Sequence, residues 1–197
     1  MNEHHQAAGH SYPAEFYEVR LATHADLPGA RSVMLDTFYR EFGHGYRPQW
    51  HTDVIDLAGT YLGTPRHALF VAVDGDEVVG TTAVRAQGPA SPPHPAWIAE
   101  RYSGDRTAQL FRVYVRAEHR RRGLARALVD AAVRFIAETP GYEQIYLHTD
   151  TRVAGAEAFW RSVAVEVCDA RDGDTDRHQT VHFEIPVPVL AGSAEPR

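Results

Sequence analysis

The chain has 197 residues, 44% of them hydrophobic and 23% charged, with a formal net charge of −6. That size and balance predict one soluble globular domain with a sizeable core, and the acidic excess argues against bulk binding of nucleic acid or an anionic membrane. The single Cys168 excludes an internal disulfide and a cysteine zinc cluster; all 20 basic residues are arginine, which excludes a P-loop lysine, a kinase lysine and a Schiff base.

In chain order, residues 1–14 are polar and carry His4, His5 and His10 without a hydrophobic pattern, so they read as a tail. They lack the layout of a signal peptide, and no apolar run reaches membrane-spanning length, so a cytoplasmic location is expected. Residues 16–21 read as a first strand. Thr23 and Asp26 make a loose capping box ahead of a helix over 27–42, with Leu27, Ala30, Met34 and Phe38 on one face. After the break at 43–48, a second helical segment covers 52–62 and ends at Gly63. Strands 68–73 and 78–85 flank the turn Asp74-Gly75-Asp76 and make a hairpin. Residues 88–107 are proline-rich and irregular with an aromatic middle, and connections of that length are usually functional.

The sharpest stretch is 110–135, LFRVYVRAEHRRRGLARALVDAAVRF. Strand 110–115 runs into a turn, and a helix opens at Leu124 with Leu124, Leu128, Ala131 and Phe135 expected on its buried face. Arg116, Arg120, Arg121 and Arg122 crowd that turn. A helix N-terminus carries about +0.5 of a charge and unpaired N–H groups, so guanidinium groups are disfavoured there unless an anion arrives. Strand, glycine turn and helix start together suit a diphosphate. A solvated basic surface and a nucleic-acid contact are the alternatives, and no G-x-G-x-x-G supports a dinucleotide site.

A strand over 144–149, a helix over 155–163 and a closing hairpin of 165–170 with 179–185 complete the domain, 15–187, before a tail at 188–197. The helix between the fourth and fifth strands makes that pair parallel with a right-handed crossover. The expected fold class is α/β of the α+β mixed-sheet kind: about seven mostly antiparallel strands, helices on both faces.

Arg120-Arg121-Arg122-Gly123-Leu124-Ala125 fits [RQ]-x-x-G-x-[GA] after a strand ending V-x-V. With the element order from 16 to 186, this resembles the GNAT N-acetyltransferase superfamily. The resemblance implies a parallel pair splayed between 113–116 and 146–149, with the pantetheine arm of acetyl-coenzyme A in the gap. It implies cofactor contacts at Val113, Val115, Arg120, Arg121, Arg122, Gly123, Leu124, Ala125, Arg126 and Trp160. The N–H of Val115 is the expected donor to the thioester oxygen. Many relatives carry N-x-x-A-x-x-F-Y after the fifth strand, its tyrosine protonating the departing sulfur. Here Ala156 and Phe159 match, while Val153 and Trp160 replace the asparagine and the tyrosine. An indole N–H is no proton source near neutral pH, which leaves Tyr114, Tyr146 or water as acid. Base candidates are Glu41, His44, Glu100, His148 and Asp150, His148 having the best-placed ordinary pKa. Tyr39, Phe42, Tyr46 and Trp97 are the expected lining of an aromatic acceptor cup.

The implied activity is acetyl transfer from acetyl-coenzyme A to a small-molecule amine by direct attack in a ternary complex, in a monomer or homodimer without metal, nucleic acid or membrane. A protein or peptide acetyltransferase and a catalytically weak coenzyme A-binding module are the alternatives.

Overall fold

Continuous apolar runs set the centre of a sheet. In the computed structural model, which describes residues 17–174 and 179–188, Ala68–Asp74 (ALFVAVD) form β2 and are buried on both faces up to the last residue. The expected tail at 1–14, and all of the expected tail at 188–197 but its first residue, lie outside the described residues. Around β2 stand β1 (Tyr17–Leu21), β3 (Glu77–Ala86), β4 (Thr107–Val115), β5 (Gln144–Asp150), β6 (Val165–Asp169) and β7 (Thr180–Ile185). Among the described residues they make one seven-stranded sheet of order β1-β2-β3-β4-β5-β7-β6. Only β4 and β5 run parallel, so the expected mixed sheet is observed.

Two layers cover it. On one face α1 (Leu27–Asp36) and α2 (Thr52–Ile55) bury Leu27, Ala30, Val33, Met34 and Val54 against Leu69, Val71 and Ala83. On the other, α4 (Leu124–Glu138) and α5 (Ala156–Arg161) pack on Phe70, Val84 and Leu110. The α4 face differs from the expected one: Leu124, Leu128, Val129, Ala132 and Ile136 are buried, while Ala131 and Phe135 flank them. The four-residue ridge lies along the sheet, and the sequence period alone could not select it from the neighbouring ridge.

Three further differences have local causes. The helix expected over 27–42 stops as an α-helix at Asp36 and continues as one π-helical turn, Thr37–Glu41; the Thr37 hydroxyl donates to Val33 O at 2.9 Å, a back-bond that loosens the ladder. The segment over 52–62 breaks at Asp56, whose carboxylate accepts the Gly59 N–H at 2.9 Å. Within 88–107, α3 (Ala96–Arg101) caps the α1 side of β5 through Ile98, Tyr102 and Tyr146. Six residues behind four prolines show too little periodicity to announce a helix. No described helix is long and apolar enough to cross a membrane.

Candidate active site

The site begins where β4 and β5 part. They pair over Thr107↔Gln144, Ala108↔Ile145 and Gln109↔Tyr146, and beyond that no register joins them. On its other side β4 stays paired to β3, but with a bulge: Thr81 faces Tyr114 and Ala83 faces Phe111, so three β4 steps oppose two of β3. The extra step centres on Arg112, at φ 54°.

A buried ion pair holds the bulge. Arg112 donates from Nε and Nη2 to the Asp53 carboxylate at 3.0 and 2.6 Å, and Tyr61 Oη donates to the same carboxylate at 2.6 Å. Burial works to raise the Asp53 pKa, but the Arg112 bonds and charge, with the Tyr61 hydroxyl, outweigh it and hold the carboxyl below its ordinary range. The Thr81 hydroxyl donates to Arg112 O at 2.7 Å.

The bulge fixes which way the end of β4 points. Arg116 N donates to Val79 O at 2.9 Å, which makes Arg116 and Val79 a hydrogen-bonded pair. Antiparallel pairs alternate, so Val115 opposite Gly80 is a non-bonded pair, and its N–H and C=O point away from β3 into the gap facing β5. Arg120 Nε occupies that carbonyl at 2.9 Å. Val113, two residues back, shares the same side.

Past Val115 the chain turns through Arg121 at φ 59° and Gly123 at φ 80°, then enters α4. The first N–H to bond back is that of Ala127, to Gly123 O at 3.0 Å; those of Leu124, Ala125 and Arg126 precede it at the open helix start. A Cβ placed on Gly123 meets nothing within 4 Å, so the ground before the helix is clear. These residues fit a diphosphate.

The arginine crowd is less bare than the sequence implied. Arg116 is bound to Asp36 and, at 3.0 Å, to the Ser32 hydroxyl; Arg120 pairs with Glu41 at 3.0 Å. Arg122 donates to Tyr17 Oη at 2.5 Å, and Arg126 to the Ser162 hydroxyl at 3.2 Å. Arg116 therefore serves α1 rather than the loop. Its carboxylate partner lies 80 positions away in sequence, which no local pattern reveals.

Trp160 is 7% exposed and belongs to the core under α4, beside Phe159 at 4.9 Å. On the α1 side, Tyr114 meets Phe38 and Phe42 edge-on at 6.0 and 5.9 Å, and Phe42 lies against His44 at 5.6 Å. His51 stacks on Phe38 at 3.8 Å, with Tyr46 5.9 Å from it. Phe42 and Tyr46 thus join one aromatic cluster, along with Phe38, His44, Trp50 and His51. Tyr39 is 64% exposed on the outer side of the π turn, and Trp97 is exposed on α3, with no ring contact to the cluster among the described residues. Burial raises the Tyr114 pKa against the opposing charge of Arg112, so its phenol stays protonated at neutral pH.

Among the proposed bases, Glu41 is committed to Arg120 and Asp150 to Arg152 at 2.6 Å. His44 Nδ1 lies 2.8 Å from Gly45 O, a contact that needs the proton on Nδ1 and leaves Nε2 as acceptor. His148 lies on the parted length of β5 in a second cluster, 4.3 Å from the His94 ring and 6.2 Å from that of His182, which Tyr146 Oη joins at Nδ1 over 2.7 Å. Among the described residues no such group is placed to hold a metal ion.

Two of these imidazoles predict an acid response. Burial first, then the Arg112 charge, pushes His51 down to about 4; burial, then His94, does the same to His182. Both groups are depressed in the fold, so the unfolded chain binds more protons below its ordinary pKa of 6.5. Their stabilising effect is complete above pH 6.5 and drains away as pH falls towards 4. Denaturant unfolding at pH 7 and pH 4.5 should show a loss of a few kcal/mol, reduced by roughly half in His182→Leu.

The sequence profile of the acetyltransferase (GNAT) family matches residues 33–164, and the chain belongs to that family. It is 37% identical to N-acetyltransferase 8B of Rattus norvegicus over 110 residues, which are 56% of this chain and 44% of that protein. The chain thus spans under half the length of the curated relatives it matches. A GNAT-family acetyltransferase structure from Staphylococcus aureus superposes with TM-score 0.65 at 14% identity, covering 87% of this chain and 99% of that one. The PaiA N-acetyltransferase of Thermoplasma acidophilum, solved with coenzyme A, gives 0.60 at 13% identity, covering 86% and 98%. At such identities these likenesses show the fold.

Proposed function

We propose that the chain transfers the acetyl group of acetyl-coenzyme A to the amine of a small molecule, by direct attack in a ternary complex. The observation that carries this is the gap between the parted ends of β4 and β5, with the Val115 N–H turned into it and an open helix start at its end. Such a slot suits a polar thread ending in a diphosphate, and the PaiA neighbour was solved with coenzyme A. Acetyl-coenzyme A, when bound, supplies an activated acyl thioester.

The remaining steps fall to protein groups. The N–H of Val115, with Val113 beside it, polarises the acyl oxygen; a preorganised donor of this kind is worth about 3 kcal/mol in the transition state. Tyr114 gives its proton to the departing sulfur, since Tyr146 is committed to His182. His44 or His148, one on each side of the parted strands, takes the proton from the incoming ammonium. The α3 cap over one flank favours a small acceptor over a protein segment. Trp160, buried where relatives place a tyrosine, favours a second reading: a coenzyme A-binding module with feeble turnover.

Incubation with acetyl-coenzyme A and a panel of amines, with mass detection of products, tests the proposal. Acetylated product at enzyme-like rates is expected; cofactor binding without product would replace this reading by the second one.

A further inference from the structure

The Arg85 side chain, on β3, makes no hydrogen bond or ion pair among the described residues; its Nε is buried without a partner, and its guanidinium stands 5.2 Å over the Phe111 ring. Directly opposite on β4 is Gln109, 2% exposed, whose Oε1 is also buried without a partner. Ala108 and Leu110 on either side of Gln109 belong to the α4 core, so Gln109 points to the opposite face, as does Phe111. Gln109 is also the last residue of β4 paired to β5. The two orphaned groups therefore lie side by side at the fork of the gap, on the face that carries Tyr114 and the aromatic cluster.

The local charge does not balance. Arg85 and Arg112 both act on Asp53, but that carboxylate is already held by Arg112 and Tyr61. Glu184, two strands beyond Gln109 in the same row, is taken by Tyr102 at 2.5 Å and Arg101 at 3.0 Å. One positive charge is left over in a chain whose net charge is −6. Only Nε is shut away from water; the residue is half-buried, and the fork of its guanidinium suits a carboxylate.

We propose that the Arg85 guanidinium, with the amide nitrogen of Gln109 as a second donor beside it, binds a carboxylate on the acceptor, and so selects amines that carry an acid at their far end. This rests on the acetyl-transfer reading above and names its substrate class. A single excess charge matches a carboxylate better than a phosphate dianion. Gln109 lies six residues before Val115, one of them taken up by the bulge, so roughly 17 Å along the strand separates the two, and the carboxylate sits about five extended residues from the reacting nitrogen. Short peptides with a free C-terminus meet that length.

Tetra- and penta-alanine, each as the free acid and as the C-terminal amide, test the site by initial rates and by calorimetry on the coenzyme A complex. The free acid should be preferred about 10-fold or more in kcat/KM, the scale of one charge-assisted bond. Arg85→Gln should bring that ratio close to 1, with the change in KM, and Arg85→Lys should give an intermediate ratio. The ratio compares two ligands on one protein, so a general loss of stability does not imitate the effect. Equal binding of acid and amide, or an unchanged ratio in Arg85→Gln, would overturn the proposal. Acetylation of neutral amines with no peptide bound would sink this site alone. Absence of both coenzyme binding and turnover would sink the acetyl-transfer reading, and this proposal with it.

Discussion

Gly123→Asp should raise the dissociation constant for acetyl-coenzyme A at least 100-fold, about 2.7 kcal/mol. Gly123 holds φ 80° at the start of α4, and a Cβ there projects into open space rather than into protein. Aspartate visits left-handed backbone more readily than most residues, so the fold should lose only about 1 kcal/mol. Its carboxylate, however, would stand before the N–H groups of Leu124, Ala125 and Arg126, the proposed seat of the diphosphate. Gly123→Asn has the same shape without the charge and separates crowding from repulsion, with an intermediate loss expected. Calorimetric titration of the three proteins decides it; affinities within threefold of one another would remove the diphosphate from this loop.

The largest loss of stability is expected from Asp53→Asn, at about 3–5 kcal/mol. The carboxylate side chain is 3% exposed and that of Arg112 10%, so the substitution strands a guanidinium away from water. At this chain length that corresponds to a melting temperature lower by about 6–20 °C. The effect should reach the site, because Arg112 is the bulge residue that turns Val113 and Val115 towards β5. Coenzyme affinity should fall together with stability. The double variant Asp53→Asn, Arg112→Met, which removes the stranded charge, should regain part of the melting temperature; a single variant as stable as the parent would contradict the role given to this pair.

Local patterns carried much of the fold. The strand, turn and helix over 110–135 were legible because apolar periodicity, a glycine and an arginine cluster all lie within one short window, and the helix joining β4 to β5 required a parallel pair. What stayed hidden depended on residues far apart in sequence. Arg112 and Asp53 are 59 positions apart, and nothing near Arg112 marks it as a bulge with positive φ. Asp36 and Glu41 neutralise Arg116 and Arg120 from α1 and its π turn, so electrostatic crowding read locally was overstated. Arg85 and Gln109 become neighbours only once β3 and β4 are set in register. Trp97 and Phe42 both come from aromatic-rich stretches, yet the two stretches cover opposite flanks of the parted strands.

Thermal unfolding in the presence of acetyl-coenzyme A addresses the central claim most directly, because a ligand of the native state alone must raise the transition temperature. At a concentration 100 times the dissociation constant, the gain should be about 2.7 kcal/mol, or roughly 5–10 °C at this chain length, and it should shrink as salt screens the diphosphate. A transition temperature unmoved by millimolar acetyl-coenzyme A would contradict the assignment of the β4–β5 gap and the α4 start as its site.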